Sequence, residues 1–166
     1  MSHSLPDVET LIGEMAGQLA PMLAADPLMV GIHSGGAWIA ERLHRRLQLP
    51  SRLGTLNITF YRDDFSMVGL HPQVKPSHLP EDVEGRNVIP VDDVLQTGRT
   101  VRAALNEIFS YGRPRTVRLA VLVDRGLREL PIQADVCALK VDLDAAERIK
   151  LVGPEQLELR IARKDD

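Results

Sequence analysis

The chain has 166 residues, 44% hydrophobic and 26% charged, with a net charge of −3, which suits a single domain over residues 1–166 with a sizeable core and excludes the overall basic field that draws in nucleic acid. Its one cysteine, Cys137, excludes an intramolecular disulfide and a Cys-rich zinc site, and makes a reducing cytoplasm the expected setting.

The opening MSHSLPDVETL has no basic stretch followed by an apolar one, so no signal peptide is expected. No apolar run approaches the roughly 20 residues of a membrane-spanning helix. Over residues 7–24, Val8, Leu11, Ile12, Met15, Leu19 and Met22 recur at helical spacing. LMVGIH (28–33) reads as a short buried strand ending in Ser34-Gly35-Gly36, and AWIAERLHRRL (37–47) as an amphipathic helix. RLGTLNITFY (52–61) reads as a strand. Residues 62–86 hold Pro72, Pro76 and Pro80 with little periodicity and predict a long exposed loop. NVIPV (87–91) is strand-like, and 100–112 is a helix with apolar positions 101, 104, 105, 108 and 109 on one face, stopped by Gly112 and Pro114. VRLAVLV (117–123) and ADVCALKV (134–141) are further strands. ERIKLVG and QLELRIARK are two more, joined at Gly153-Pro154. Apolar strands alternating with amphipathic helices predict an α/β fold, a parallel sheet flanked by helices. Ligands then sit beyond the carboxyl ends of the strands. Three strands end there in Ser34-Gly35-Gly36, in Asp92-Asp93 onward and in Asp124-Arg125-Gly126.

The second of these loops carries the most chemistry. A helix starting near Thr100 presents unpaired N–H groups and a positive dipole end to an anion. Gly98 permits close backbone approach, and Thr97 and Thr100 add hydroxyls. This is a phosphate cup. Asp92 and Asp93 beside it would repel phosphate, but they can accept from sugar hydroxyls or hold Mg²⁺ directly or through water. Caps for the turn and the helix are the simpler reading of the same residues. A phosphate cup next to diol acceptors describes a ribose 5-phosphate site.

Val91-Asp92-Asp93-Val94-Leu95-Gln96-Thr97-Gly98-Arg99-Thr100 resembles the phosphoribosyl-pyrophosphate (PRPP) signature of type I phosphoribosyltransferases. With LNITFYRDDFS (56–66) and LAVLVDRGLRELPIQAD (119–135), in order and at matching spacing, the chain resembles the PyrR family, bifunctional pyrimidine operon regulators and uracil phosphoribosyltransferases. The resemblance implies transfer of ribose 5-phosphate from PRPP to uracil, giving UMP and pyrophosphate, with Mg²⁺. It implies that Thr97 to Thr100 hold the 5-phosphate, that Asp92 and Asp93 bind the ribose hydroxyls, and that Ser34, Gly35 and Gly36 form a pyrophosphate loop of the kind that often carries a strained or cis peptide. Asp124 and Arg125 then lie near metal, pyrophosphate and base, with Arg125 joining the paired acids as a catalytic group. Residues 62–86 become a hood with Arg62 and Lys75 as its cations. A homodimer or higher homo-oligomer is implied as well. So is an alternative function as a UMP-sensing, RNA-binding attenuation regulator; a third reading is transfer to another base.

The sequence departs from that family in four places. His33-Ser34-Gly35-Gly36 stands where many relatives have Lys-Thr-Arg-Gly, which removes two cations and predicts weaker pyrophosphate affinity. Pro90 interrupts an aliphatic strand and removes a ladder donor. Arginines expected of RNA-binding relatives are missing before Arg42, and Gln133 replaces another, which argues against RNA affinity built on phosphate neutralisation. Ala138 to Asp144 replaces Gly-Lys-Asn-Ile-Pro-Thr-Ser near the base pocket. Among the remaining residues, His33, His44, His71 and His78 lack metal-ligand spacing. Arg42, His44, Arg45 and Arg46 form the best basic patch, Trp38 is expected in the core or at a subunit contact, and Cys137 is expected to be inert.

Overall fold

A computed structural model describes residues 4–58 and 77–165. Its centre is a parallel sheet of β1 (Leu28–Ile32), β2 (Gly54–Leu56), β3 (Asn87–Leu95), β4 (Thr116–Val117), β5 (Ala120–Asp124) and β6 (Val136–Lys140). The strand order is β2-β1-β3-β5-β6, with β4 also paired to β3. Helices α1 (Val8–Leu19) and α2 (Gly35–Leu47) cover one face, and α3 (Arg99–Ser110) covers the other. The alternation of side chains along a strand produces this division. Met29, Ile89 and Val91 meet Ile12, Met15, Ile39 and Leu43. Leu28, Val30, Ile32 and Val88 meet Ala103, Ala104 and Ile108. The expected α/β architecture is observed. An antiparallel hairpin of β7 (Glu147–Val152) and β8 (Glu158–Arg163) adds Ile149, Leu151, Leu157 and Leu159 to the α1–α2 side of the core. Trp38 packs into that cluster, beside Gly153 at the hairpin turn.

Several boundaries differ from the sequence reading for identifiable reasons. The first helix stops at Leu19 and tightens into a 3-10 turn, Ala20–Met22, because Pro21 has no N–H to continue the ladder. The second helix starts at Gly35 rather than 37. A Cβ at Gly31 would collide with the Ala37 backbone, and one at Gly36 would collide with the Val91 carbonyl. Glycine, a poor helix former, is what lets the first turn of α2 lie on the sheet. Of the expected strand 52–61, residues 59–61 lie outside the described residues; β2 spans Gly54–Leu56, and its edge is met by His78, which exchanges two backbone hydrogen bonds of 2.8 Å with Thr55. Arg62 and Lys75 of the expected hood lie outside the described residues.

The expected strand 117–123 is divided. β4 ends at Val117 and β5 begins at Ala120, and the gap falls opposite Ile89 and Pro90 in the register. Arg118 still donates its N–H to the Val88 carbonyl at 3.0 Å. The returning donor in that ladder would come from residue 90, where proline has none. On its other side β3 is intact, with Val30 paired to Pro90. Pro90 thus costs the sheet one bond and divides the neighbouring strand, while β3 runs on to Leu95.

Candidate active site

The three loops singled out in the sequence meet at the carboxyl end of the sheet. Leu95 at the end of β3 is paired with Asp124 at the end of β5, and Arg125 donates its N–H to the Leu95 carbonyl at 3.0 Å. From the other side, α2 brings Gly35 against Asp93: a Cβ on Gly35 would overlap the Asp93 carboxylate. Asp92 and Asp93 are part of β3 rather than beyond it, because the strand continues pairing with Val121, Val123 and Asp124. Asp92 is buried at 5% exposure. Its Oδ1 accepts the Asp93 N–H, and the Asp93 Oδ1 accepts the Val94 N–H, both at 2.8 Å. Each acid therefore uses one oxygen to set the backbone that follows it.

Helix α3 starts one residue before the expected position. Its N-cap is Gly98 at φ 94°, with no side-chain cap. The Thr97 hydroxyl accepts the Arg99 N–H at 3.2 Å. Helix α2 likewise begins after Ser34 with no side-chain cap. The peptide between His33 and Ser34 is cis and lies one bond before the glycines. Val91, Leu95 and Gly98 are buried, Val94, Gln96, Thr97 and Thr100 are half-buried, and Ser34 and Arg99 are exposed.

The Asp124–Arg125 corner is more committed than the sequence suggests. Both Asp124 oxygens receive Arg128, at 2.9 and 2.6 Å, and Oδ1 also accepts the Gly126 N–H at 2.9 Å. The Arg128 guanidinium holds the Asp124 carboxyl below the usual carboxylate range, chiefly by hydrogen bonding. Arg125 is 4% exposed and donates to the Glu147 and Asp144 carbonyls, leaving its Nε without a partner. It braces the chain entering β7, so its place is in the wall of the site.

Residues 128–132 pack directly beneath Thr97 and Gly98. The Thr97 carbonyl accepts the N–H groups of Glu129 and Leu130 at 2.9 and 3.1 Å, and Ile132 lies under Gly98. Arg99 and Glu129 pair at 2.9 Å. The available signal was the run Arg128-Glu129-Leu130-Pro131 itself: two charges next to a strand-end aspartate, followed by a turn-forming proline. Cys137 behaves as expected, half-buried with its thiol pushed up by burial.

A cavity of about 680 Å³ lies between Leu5 to Val8 and the β7–β8 hairpin, with Glu147, whose carbonyl accepts Arg125, on its lining. None of the site loops lines it. No helix of the described residues is long and apolar enough to cross a membrane.

Comparison with known proteins shows the family. The phosphoribosyl transferase domain family matches residues 3–156. A protein named Bifunctional protein PyrR from Nitrosococcus oceani is 59% identical over 137 residues, 81% of this chain and 77% of the relative. One of the same name from Pseudomonas savastanoi is 51% identical over 162 residues, 95% of each. Among solved structures, a hypoxanthine phosphoribosyltransferase from Staphylococcus aureus superposes with TM-score 0.64 at 21% identity, covering 83% of this chain and 75% of that one. A purine phosphoribosyltransferase from Pyrococcus horikoshii gives 0.62 at 25% identity, covering 81% and 82%. With a family model over residues 3–156 and relatives matched along nearly the whole chain, this protein belongs to the phosphoribosyltransferases and, within them, to the PyrR family.

Proposed function

We propose that the chain transfers ribose 5-phosphate from PRPP to N1 of uracil, releasing pyrophosphate and forming UMP. The observation that carries this reading is the convergence of three elements: an acid pair on β3, the glycine-capped start of α3 behind it and the start of α2, with no side-chain cap, beside it. The choice of uracil rests on the resemblance in residues 56–66, 91–105 and 119–135.

The chemistry needs no side-chain nucleophile. As the C1–oxygen bond to pyrophosphate breaks, positive charge builds on the ribose and negative charge on the leaving group. Uracil N1 bonds to C1 and gives up its proton. Asp92 and Asp93 accept hydrogen bonds from the ribose hydroxyls and place negative charge near the developing cation. The N–H and hydroxyl groups of Thr97 to Thr100 hold the 5-phosphate. The first turn of α2, from Ser34 through Gly36, offers its N–H groups to pyrophosphate. Losing one such donor typically costs about 3–4 kcal/mol of barrier, a hundredfold or more in rate.

Among the described residues, no three His, Cys, Asp or Glu side chains gather closely enough to hold a metal by themselves. Two adjacent carboxylates do fit Mg²⁺, which keeps much of its water and is bound largely through substrate phosphates. Asp92 and Asp93 are the residues that would hold it, directly or through water. When bound, it offsets the charge of the departing pyrophosphate. Asp124 is already occupied by Arg128.

A panel of nucleobases incubated with PRPP and Mg²⁺, read by product chromatography, tests the reading. UMP as the dominant product is expected; transfer to hypoxanthine or guanine without UMP would refute it. A second reading, UMP-sensing RNA binding, is favoured by the name of the relatives, which declares two functions. Helix α1 carries no Lys or Arg, so any such binding would have to rest on cations such as Arg45 and Arg46, both exposed on α2. A low-salt gel shift with pyrimidine-gene leader RNA, with and without UMP, decides it: a UMP-enhanced, salt-sensitive complex supports regulation, and no complex removes it.

A further inference from the structure

Arg128 lies outside the loop that receives the sugar phosphate, yet its side chain ties that loop down. Nη1 donates to the Gln96 carbonyl at 2.9 Å and to Asp124 Oδ1 at 2.9 Å. Nη2 donates to Asp124 Oδ2 at 2.6 Å, and Nε to the Ile132 carbonyl at 2.7 Å. One guanidinium thus joins the phosphate loop, the end of β5 and the far end of its own segment. The consequence follows from the planar trans peptide, in which C=O and N–H point in opposite directions. Holding the Gln96 carbonyl toward Arg128 aims the Thr97 N–H away from it. Holding the Thr97 carbonyl on the N–H groups of Glu129 and Leu130 aims the Gly98 N–H away in the same manner. Ile132 under Gly98 leaves no room for the loop to sink. Successive N–H groups aimed outward from a pinned backbone form an anion cradle.

We propose that Arg128 is a positioning residue for the sugar-phosphate loop, acting on the bound 5-phosphate through the Gln96 carbonyl and anchored by Asp124. The proposal rests on the phosphoribosyl-transfer reading above. It requires the fork itself. Lysine keeps the charge but cannot reach a carboxylate and two carbonyls from one planar group. Because the 5-phosphate is held alike in ground and transition states, weakening its cradle raises KM for PRPP more than it lowers kcat.

The test compares wild type, Arg128→Lys and Asp124→Asn by calorimetric titration with ribose 5-phosphate and, separately, with pyrophosphate and Mg²⁺, alongside steady-state kinetics with PRPP varied. In Arg128→Lys, ribose 5-phosphate affinity and PRPP KM are expected to worsen about tenfold, with pyrophosphate affinity changed less than twofold. Asp124→Asn, which leaves the Arg128 bonds to Gln96 and Ile132 available, is expected to move the same two quantities about threefold, and it carries the test if Arg128→Lys does not fold. Unchanged ribose 5-phosphate binding in a folded variant overturns the positioning role while leaving the transferase reading intact. Equal weakening for both ligands also overturns it, since a generally loosened fold would do that. A wild-type protein that binds neither ligand and turns over no PRPP overturns both.

Discussion

The start of α1 and the starts of α2 and α3 treat the same physical problem in opposite ways. Every helix begins with N–H groups that have no partner within the helix, and with a positive dipole end. At α1 both are neutralised by the chain: Asp7 caps Thr10 at 3.3 Å, and Glu9 stands in the first turn. At α2 and α3 the N-cap residue does neither, although the Thr97 hydroxyl accepts the Arg99 N–H at the start of α3. Ser34 and Gly98 provide no side-chain cap, and neither first turn contains an acid. The difference follows position. α1 also starts toward the carboxyl end of the sheet but at its edge, where Ser4 to Pro6 lie beside Leu139 to Leu143 beyond β6, whereas α2 and α3 start after β1 and β3, beside the acid pair. On the proposed function, the helix start that only has to be stable is closed by its own side chains, and those that would hold an anion have no N-cap side chain, with glycine bringing them close to the sheet.

The largest expected effect comes from closing that approach. In Gly36→Ala the new methyl would meet the Val91 carbonyl, a backbone atom that cannot turn aside. Overpacking of this kind costs about 1–3 kcal/mol or more, and displacing α2 from the acid pair should lower turnover about a hundredfold. Denaturant melts and kinetics on the same preparation check both; normal turnover would show that α2 need not lie this close to the site. The next effect is pH-dependent. Asp124 has its folded pKa lowered from 3.8 by Arg128, so the stability it contributes is fully present above the unfolded value and is lost as pH falls through the folded one. Asp124→Asn should therefore cost about 1.5 kcal/mol near neutral pH. The gap from wild type should stay flat down to about pH 5 and narrow below about 3.8, as followed by urea melts across pH. A gap that widens in acid would contradict the pairing. The smallest effect belongs to the closed helix. Asp7→Ala should cost about 1 kcal/mol of stability and leave kcat and KM for PRPP within twofold, measured side by side. A change in KM would mean that α1 is not separate from the site.

Much of this was legible in the sequence. Short, near-continuous apolar runs identified the strands, and the Asp92-Asp93 pair followed by Thr97-Gly98-Arg99-Thr100 placed a glycine turn before a helix. What escaped depended on contacts distant in sequence or on residues whose local preference misleads. Gly35 and Gly36 read as loop, because glycine disfavours helix, yet the packing of α2 on β3 requires them. Pro90 was visible as a missing donor, but the strand it divides lies about thirty residues later in the chain, at Val117 and Ala120. Arg128 is four residues from Asp124, a spacing that means neighbours on a helix, but here the backbone between them is a turn that includes Leu127 at φ 61°. Its third partner, Gln96, lies thirty-two residues earlier.

The central claim is that the acid pair and the loop after it grip opposite ends of one sugar phosphate. A crystal structure of the protein with UMP tests it most directly. The account predicts the phosphate within hydrogen-bond distance of the N–H groups of Thr97 to Thr100 and the ribose hydroxyls on Asp92 and Asp93. A nucleotide found instead in the cavity between Leu5 to Val8 and the β7–β8 hairpin, with Thr97 to Thr100 empty, would contradict it.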